Sequence, residues 1–195
     1  MLYKGQILHN RYLIQEILSQ GGSGTLYKAR DQHTQRDCAV REKAQSAYAP
    51  LEFDPGINAL AKLEHPHLAR IVDYFIVAGQ GQYLVTDFVE GDDLGLILTR
   101  NRGPLTCGQA VAWAEQVCDA LTYLHSQNPP LIHGDIKPAK IRIDPAVDAV
   151  LVDFSLSRIL KIPRQITQHF AAPELYGSSG PDARSDLYAL GVTLY

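Results

Sequence analysis

Sulfur is scarce in this chain: 195 residues carry three cysteines and one methionine, too few for a disulfide framework. Cys38, Cys107 and Cys118 form an odd set without metal-ligand spacing. Each sits inside an apolar stretch, so all three read as small buried hydrophobes in a reducing compartment. No run of about eighteen apolar residues occurs, so no membrane segment is expected in this chain. The opening MLYKGQILHNRYLIQ lacks the apolar core of a secretory leader, which sets the expected localisation as cytoplasmic. There is no excess of positive charge either. A formal charge of -3 gives no basic field to draw the chain to nucleic acid or anionic lipid, and neither is expected as a partner. Internal repeats and low-complexity tracts are absent.

What remains is a hydrophobic content of 46% with 20% charged residues, ordinary for a folded protein. The first third reads as strands broken by glycine: Tyr12 to Ser19, a turn from Gly21 to Gly24, Thr25 to Arg30, and Arg36 to Arg41. A helical segment with Ile57, Leu60, Ala61 and Leu63 follows. Ala69 to Val77 and Gln82 to Val89 then alternate as strands around a turn at residues 78–81. From Gly91 the pattern becomes helical. Thr106 and Gln109 make a capping box before Ala110, Trp113, Ala114, Val117, Leu121 and Leu124, one apolar stripe over about five turns. Short apolar pieces at 131–133, 141–143 and 149–152 precede a polar loop, and a last helical run starts at Ser185 and continues to Tyr195.

The glycine-rich strand turn, the helical layer, and then IHGDIKPAKIRID, VDFSLS, AAPE and DARSDLYALG, in that order, resemble the protein kinase family, close to its bacterial Ser/Thr branch. The resemblance implies an α+β, bilobal fold. Residues 1–90 would form a β-rich N-lobe with one helix, plus the hinge. Residues 91–195 would form a mainly helical, incomplete C-lobe ending inside the helix the family labels αF. Family members continue through further helices, so this chain is expected to be a fragment or to have its open apolar face covered by another copy or protein.

The same resemblance implies the site residues. LSQGGSGTLY matches the nucleotide loop, with Leu18 before it, Ser19 in place of the first glycine, and Gly21 and Gly24 as the second and third. Leu26 and Ala39 would roof the base. Thr86 is the gatekeeper, and the backbone from Asp87 to Val89 would read adenine. Arg142 takes the place of an apolar floor residue; its stem would lie under the base and its head would reach water. Asp135, Lys137 and Thr167 would form the catalytic set. Asp153 of the Asp153–Phe154–Ser155 motif would hold magnesium. His133, Phe154, Leu60 and Ile71 would stack as a regulatory spine, and Asp186 would hold the catalytic loop from below.

Several positions depart from the pattern. Arg41 stands where a lysine would bridge two phosphates, and a planar guanidinium is not equivalent to an ammonium; a strand arginine exposed to solvent would suit an inactive site as well. Lys43, on the same face about 7 Å further on, cannot simply take over. Counting back from EHPHL puts the lysine's partner glutamate on Gly56. Asp54 and Pro55 read as an N-cap and first-turn proline starting the helix there, and Glu52 would precede it. Gly134 replaces the arginine that receives an activating phosphate. Lys140 replaces the asparagine on a second magnesium and would repel a metal. Ser155 replaces a glycine and would restrict a backbone flip. Glu174 would lose its usual arginine partner.

These changes point to a Ser/Thr-type kinase-like domain impaired in phosphoryl transfer, with a regulatory or scaffolding role, a protein partner or protein substrate, and residual ATP binding. ATP and magnesium are what the resemblance implies, and the altered residues put both in doubt. If two cations line the phosphate site, ATP would bind with little dependence on magnesium. The other reading is an active Ser/Thr kinase in which Arg41 and Lys140 neutralise phosphate and Asp153 holds one magnesium.

Overall fold

Alternating apolar residues and glycine turns build one antiparallel sheet from the first part of the chain. A computed structural model describes residues 1–21, 24–44, 56–101, 104–146, 148–154, 167–176 and 180–195. It divides into two units, one holding Met1–Leu63 and Arg70–Phe88, the other Glu64–Ala69, Val89–Leu156 and Arg164–Tyr195.

In the first unit, β1 (Ile7–Leu8), β2 (Tyr12–Gly21), β3 (Gly24–Asp31), β4 (Arg36–Ala44), β5 (Ile71–Val77) and β6 (Gly81–Asp87) lie in the order β1-β2-β3-β4-β6-β5. The register sorts the side chains onto two faces, because residues directly opposite one another point the same way. Tyr27 faces Val40 and Val40 faces Val85, and these join Tyr12, Ile14, Ala29, Cys38 and Tyr83 in a buried cluster. At its end the carboxylate of Glu42 is buried and accepts the hydroxyls of Tyr27 at 2.6 Å and Tyr83 at 2.9 Å. Two phenol donors compensate a group whose burial would otherwise be costly. Burial raises the Tyr27 hydroxyl to about 12, with the Glu42 hydrogen bond adding to it. The other face carries Leu26, Ala39, Arg41, Leu84 and Thr86, with Leu26 opposite Arg41 and Ala39 opposite Thr86.

Helix α1 is a single turn, Ile57–Leu60, with Gly56 at its N-cap and no side-chain cap. The expected cap at Asp54 and Pro55, together with Glu52, lies outside the described residues.

The second unit contains β7 (Asp92–Asp93), α2 (Leu94–Asn101), α3 (Cys107–His125), β8 (Ile141–Asp144), β9 (Asp148–Leu151) and α4 (Ala183–Leu194). The three strands pair in the order β7-β8-β9, and residues 131–133 join no sheet. Thr106 caps α3 by accepting the Gln109 N–H, as the capping pattern predicts. The buried face of α3 carries Val117, Ala120, Leu121 and Leu124, at helical spacing. Complete burial of each valine or leucine contributes roughly 1.5–3 kcal/mol. Asp182 and Ser185 cap α4 reciprocally. Ser185, Asp186, Ala189 and Leu190 turn inward, while Leu187, Tyr188 and Leu194 are exposed.

The cysteine expectation needs correcting. Cys38 is buried, but Cys107 and Cys118 are exposed. Apolar neighbours in sequence misled here, because on a helix residues one and two apart do not share a face. Cys107 opens α3, and Cys118 follows the buried Val117 onto the outer side.

Asp31 makes the most demanding polar corner of the sheet. Its carboxylate, 2% exposed, takes two hydrogen bonds from Arg11 at 2.9 and 2.8 Å, one from the His33 N–H and one from the Thr34 hydroxyl. The Arg11 bonds hold its pKa well below the usual carboxylate range. A depressed carboxylate pKa contributes stability above the unfolded value and loses it as pH falls. Asp31→Asn is therefore expected to cost roughly 2–3 kcal/mol near neutral pH. The gap from wild type should narrow as the solution is acidified from about pH 5 to pH 2. Urea unfolding across that range checks this, and a gap independent of pH would contradict it.

Candidate functional site

The turn after α3 is held by a single carboxylate. Asp186, 1% exposed on α4, accepts the backbone N–H of His133 at 2.8 Å and of Gly134 at 2.8 Å, and its Oδ2 lies 2.9 Å from His125 Nε2. His133 is buried, and burial lowers its pKa, so the ring stays neutral. Its Nε2 lies 3.2 Å from the Val152 carbonyl and its Nδ1 accepts the Asp135 N–H at 3.3 Å, which places the proton on Nε2.

Three sequence-assigned residues close into a triangle on this support. Lys137 Nζ donates to Asp135 Oδ1 at 2.9 Å and to Thr167 Oγ1 at 2.8 Å, and Thr167 Oγ1 donates to Asp135 Oδ1 at 2.9 Å. Thr167 comes from far along the chain, yet the geometry seats it beside the aspartate. Such an arrangement orients a carboxylate and sets a cation next to it. Chemically it can accept a hydroxyl proton and steady an anion.

Lys140 and Asp153 meet as well. Lys140 Nζ lies 2.5 Å from Asp153 Oδ2, with the two side chains 16% and 15% exposed. The β8–β9 register brings the two segments together: Ile141 pairs with Leu151, which sets Lys140 beside Val152, the residue before Asp153. The Val152 N–H donates to the Lys140 carbonyl at 3.0 Å. Asp153 adopts a left-handed backbone, φ 61°, which aspartate tolerates better than most residues. This pair tests the magnesium expectation. Magnesium demands near-octahedral oxygen coordination, and an ammonium offers no acceptor. At an effective dielectric near 20, a divalent ion about 4 Å from the ammonium would meet about 8 kcal/mol of repulsion, which offsets the attraction of the Asp153 carboxylate. The donors do not fit the ion. Ser155 lies outside the described residues.

Arg142 also has backbone partners that the sequence did not indicate. Its Nε donates to the Val89 carbonyl at 2.9 Å and its Nη2 to the Gly91 carbonyl, so the guanidinium grips the linker backbone from a partly exposed position. Gly91, at φ 80°, lets the linker approach; a Cβ there would stand 2.0 Å from the Ile143 carbonyl oxygen.

In the first unit, Arg41 is 5% exposed, which removes the reading of a solvent-facing strand arginine. Leu18 is 40% exposed and occupies a β-bulge, since Ile17 faces Tyr27 and Ser19 faces Leu26. The extra residue re-aims Ser19 onto the face of Leu26 and Arg41. Gly21 and Gly24 face each other across β2 and β3. Gly24 has φ 106°, and a Cβ would stand 2.1 Å from the Glu42 carbonyl oxygen, so strand packing alone requires a glycine there. No comparable crowding surrounds Gly21. The Asp87 N–H donates to the Arg70 carbonyl at 2.9 Å, and the Asp87 carboxylate lies 3.4 Å from Arg70 Nε. Leu60, Ile71, His133 and Phe154 are each buried.

Three contacts were not read from the sequence. Ser185 donates to Glu174 Oε1 at 2.6 Å, so this glutamate has a partner without an arginine. His125 stands on Asp186, and Lys140 engages Asp153 directly instead of only repelling metal. The IRID and DAVL runs signal a hairpin that brings their flanks close, but not which side chains meet there.

The family model described as protein kinase domain matches residues 12–195. The serine/threonine-protein kinase PknB of Mycobacterium tuberculosis is 33% identical over 96% of this chain, which spans 32% of that protein's length. Among solved structures, the Mycobacterium tuberculosis PknI kinase domain double mutant superposes with a TM-score of 0.81 at 24% identity, covering 100% of this chain and 77% of that one. The pseudokinase domain of BIR2, an immune regulator of the RLK/Pelle family, gives 0.72 at 27% identity over 91% of this chain and 56% of that one.

Asp186→Ala is expected to lower stability by about 3–5 kcal/mol, because two buried N–H groups lose their acceptor. Asp186→Asn, which retains one oxygen, should lose clearly less. Urea midpoints of the two variants measure this, and equal losses would contradict it.

Proposed function

Because this chain belongs to the protein kinase family, we propose that it is a Ser/Thr-type kinase domain whose phosphoryl transfer is lost or strongly weakened, and that it works as a regulatory or scaffolding module toward a protein partner. The observation that carries this reading is the Lys140–Asp153 ion pair at 2.5 Å. Family members use ATP with magnesium, and Asp153 is the carboxylate that the resemblance assigns to the metal. With an ammonium on that carboxylate, the γ-phosphoryl charge has no metal to spread onto. Removing one such stabilising group typically costs a hundredfold or more, about 3 kcal/mol. Arg41 and Gly56 alter the other charge-handling positions in the same direction. The likeness to a solved pseudokinase domain gives the reading a structural precedent.

One observation favours the other reading, an active Ser/Thr kinase. The triangle of Asp135, Lys137 and Thr167 is the arrangement a phosphoacceptor hydroxyl would need.

Radiolabel transfer from γ-labelled ATP to Ser/Thr substrates separates the two, with Asp135→Asn as control. The expected result is no incorporation above the control, or at least about a hundredfold less than an active relative. Robust incorporation that disappears in Asp135→Asn would end the proposal in favour of the active kinase.

A further inference from the structure

The backbone of Lys140 is fixed on both sides. Its N–H donates to the Lys137 carbonyl at 2.8 Å in the turn Pro138–Lys140, and its carbonyl accepts the Val152 N–H at 3.0 Å. The ammonium is therefore delivered to Asp153 by a short tether anchored in the β8–β9 hairpin. Both charged groups are mostly withdrawn from solvent, where ion pairs are screened least and a lost partner is costly. An ammonium carries three donors, and a carboxylate needs only one of them; the others have the chemistry to meet phosphate oxygens. A magnesium complex would find a cation already in place, whereas the same phosphates without metal would bring oxygens that the remaining ammonium donors can meet.

We propose that Lys140 is a built-in replacement for the divalent cation, and that the second unit takes a polyphosphate chain there, from a nucleoside triphosphate or an inorganic polyphosphate, free of metal. The inference rests on the reading of impaired transfer and deepens it by naming the ligand class. The rest of the second unit's machinery is in order, with Asp135, Lys137 and Thr167 joined and Asp186 beneath them. One residue thus decides the metal preference.

Calorimetric titration of the full chain with ATP and with tripolyphosphate, each in EDTA and in manganese, tests this. Both ligands are expected to bind in EDTA at least as tightly as with manganese. Binding of ATP alone in EDTA also supports the inference and assigns part of the affinity to the nucleoside. In Lys140→Asn the order should reverse, with the manganese complex at least about tenfold tighter than the metal-free ligand. Manganese tightening wild-type binding about tenfold, or neither ligand binding in EDTA, would overturn the inference. So would a folded Lys140→Asn that gains no manganese preference. If that variant does not fold, the wild-type comparison decides alone. Transfer measured on the same preparations reads the functional proposal separately: transfer by wild type would end that proposal and leave metal-free binding standing.

Discussion

A single buried carboxylate carries the second unit's site. Asp186 accepts two consecutive backbone N–H groups from the turn at His133 and Gly134 and meets His125 at the end of α3. Inside a protein each of those donors would be costly to leave unpaired, so the turn has one low-energy arrangement. Asp135 and Lys137 follow within three residues, and their positions are inherited from it. The helix cap at Asp182 and Ser185 sets the register of α4, which aims Asp186 inward; a local capping pattern therefore reaches the site through one side chain.

Two lysines three residues apart then take opposite parts. Lys137 bridges Asp135 and Thr167, leaving an arrangement suited to a hydroxyl and a phosphate. Lys140, at the end of the same short helical turn, closes on Asp153 where the family would place a metal ion. The first supports chemistry of the kinase type; in the proposed reading, the second takes the place of the cation that chemistry uses. The proposed loss of transfer rests on their coexistence in a chain that has the fold of its family.

The first unit is governed by a different constraint, the strict alternation of strand faces. The parity that buries Cys38, Val40 and Glu42 on one side of β4 puts Ala39 and Arg41 on the other. A bulge at Leu18 corrects the parity of β2 so that Ser19 joins Leu26 on that second face. Gly24 belongs to this constraint as well: it is required by its approach to β4, whatever the loop does with a ligand.

The sequence by itself determined the elements and their order, because strand alternation, glycine turns and the Thr106 cap are local signals that neighbouring residues do not override. The kinase blocks likewise determined the fold and pointed to Asp135, Lys137, Thr167, Asp153 and Asp186, since each lies at a fixed offset within a motif. Only the tertiary structure decided what those residues touch. Lys140 reached Asp153 through a hairpin register, Arg142 turned back onto the linker at Val89 and Gly91, and Glu174 found Ser185 across two segments. Helix geometry, not apolar neighbours, decided that Cys107 and Cys118 are exposed. The physical reason is common to all of these: a side chain's partner depends on three-dimensional distance and on which polar groups remain to be paired after the backbone has folded, and neither quantity is carried by residue order alone.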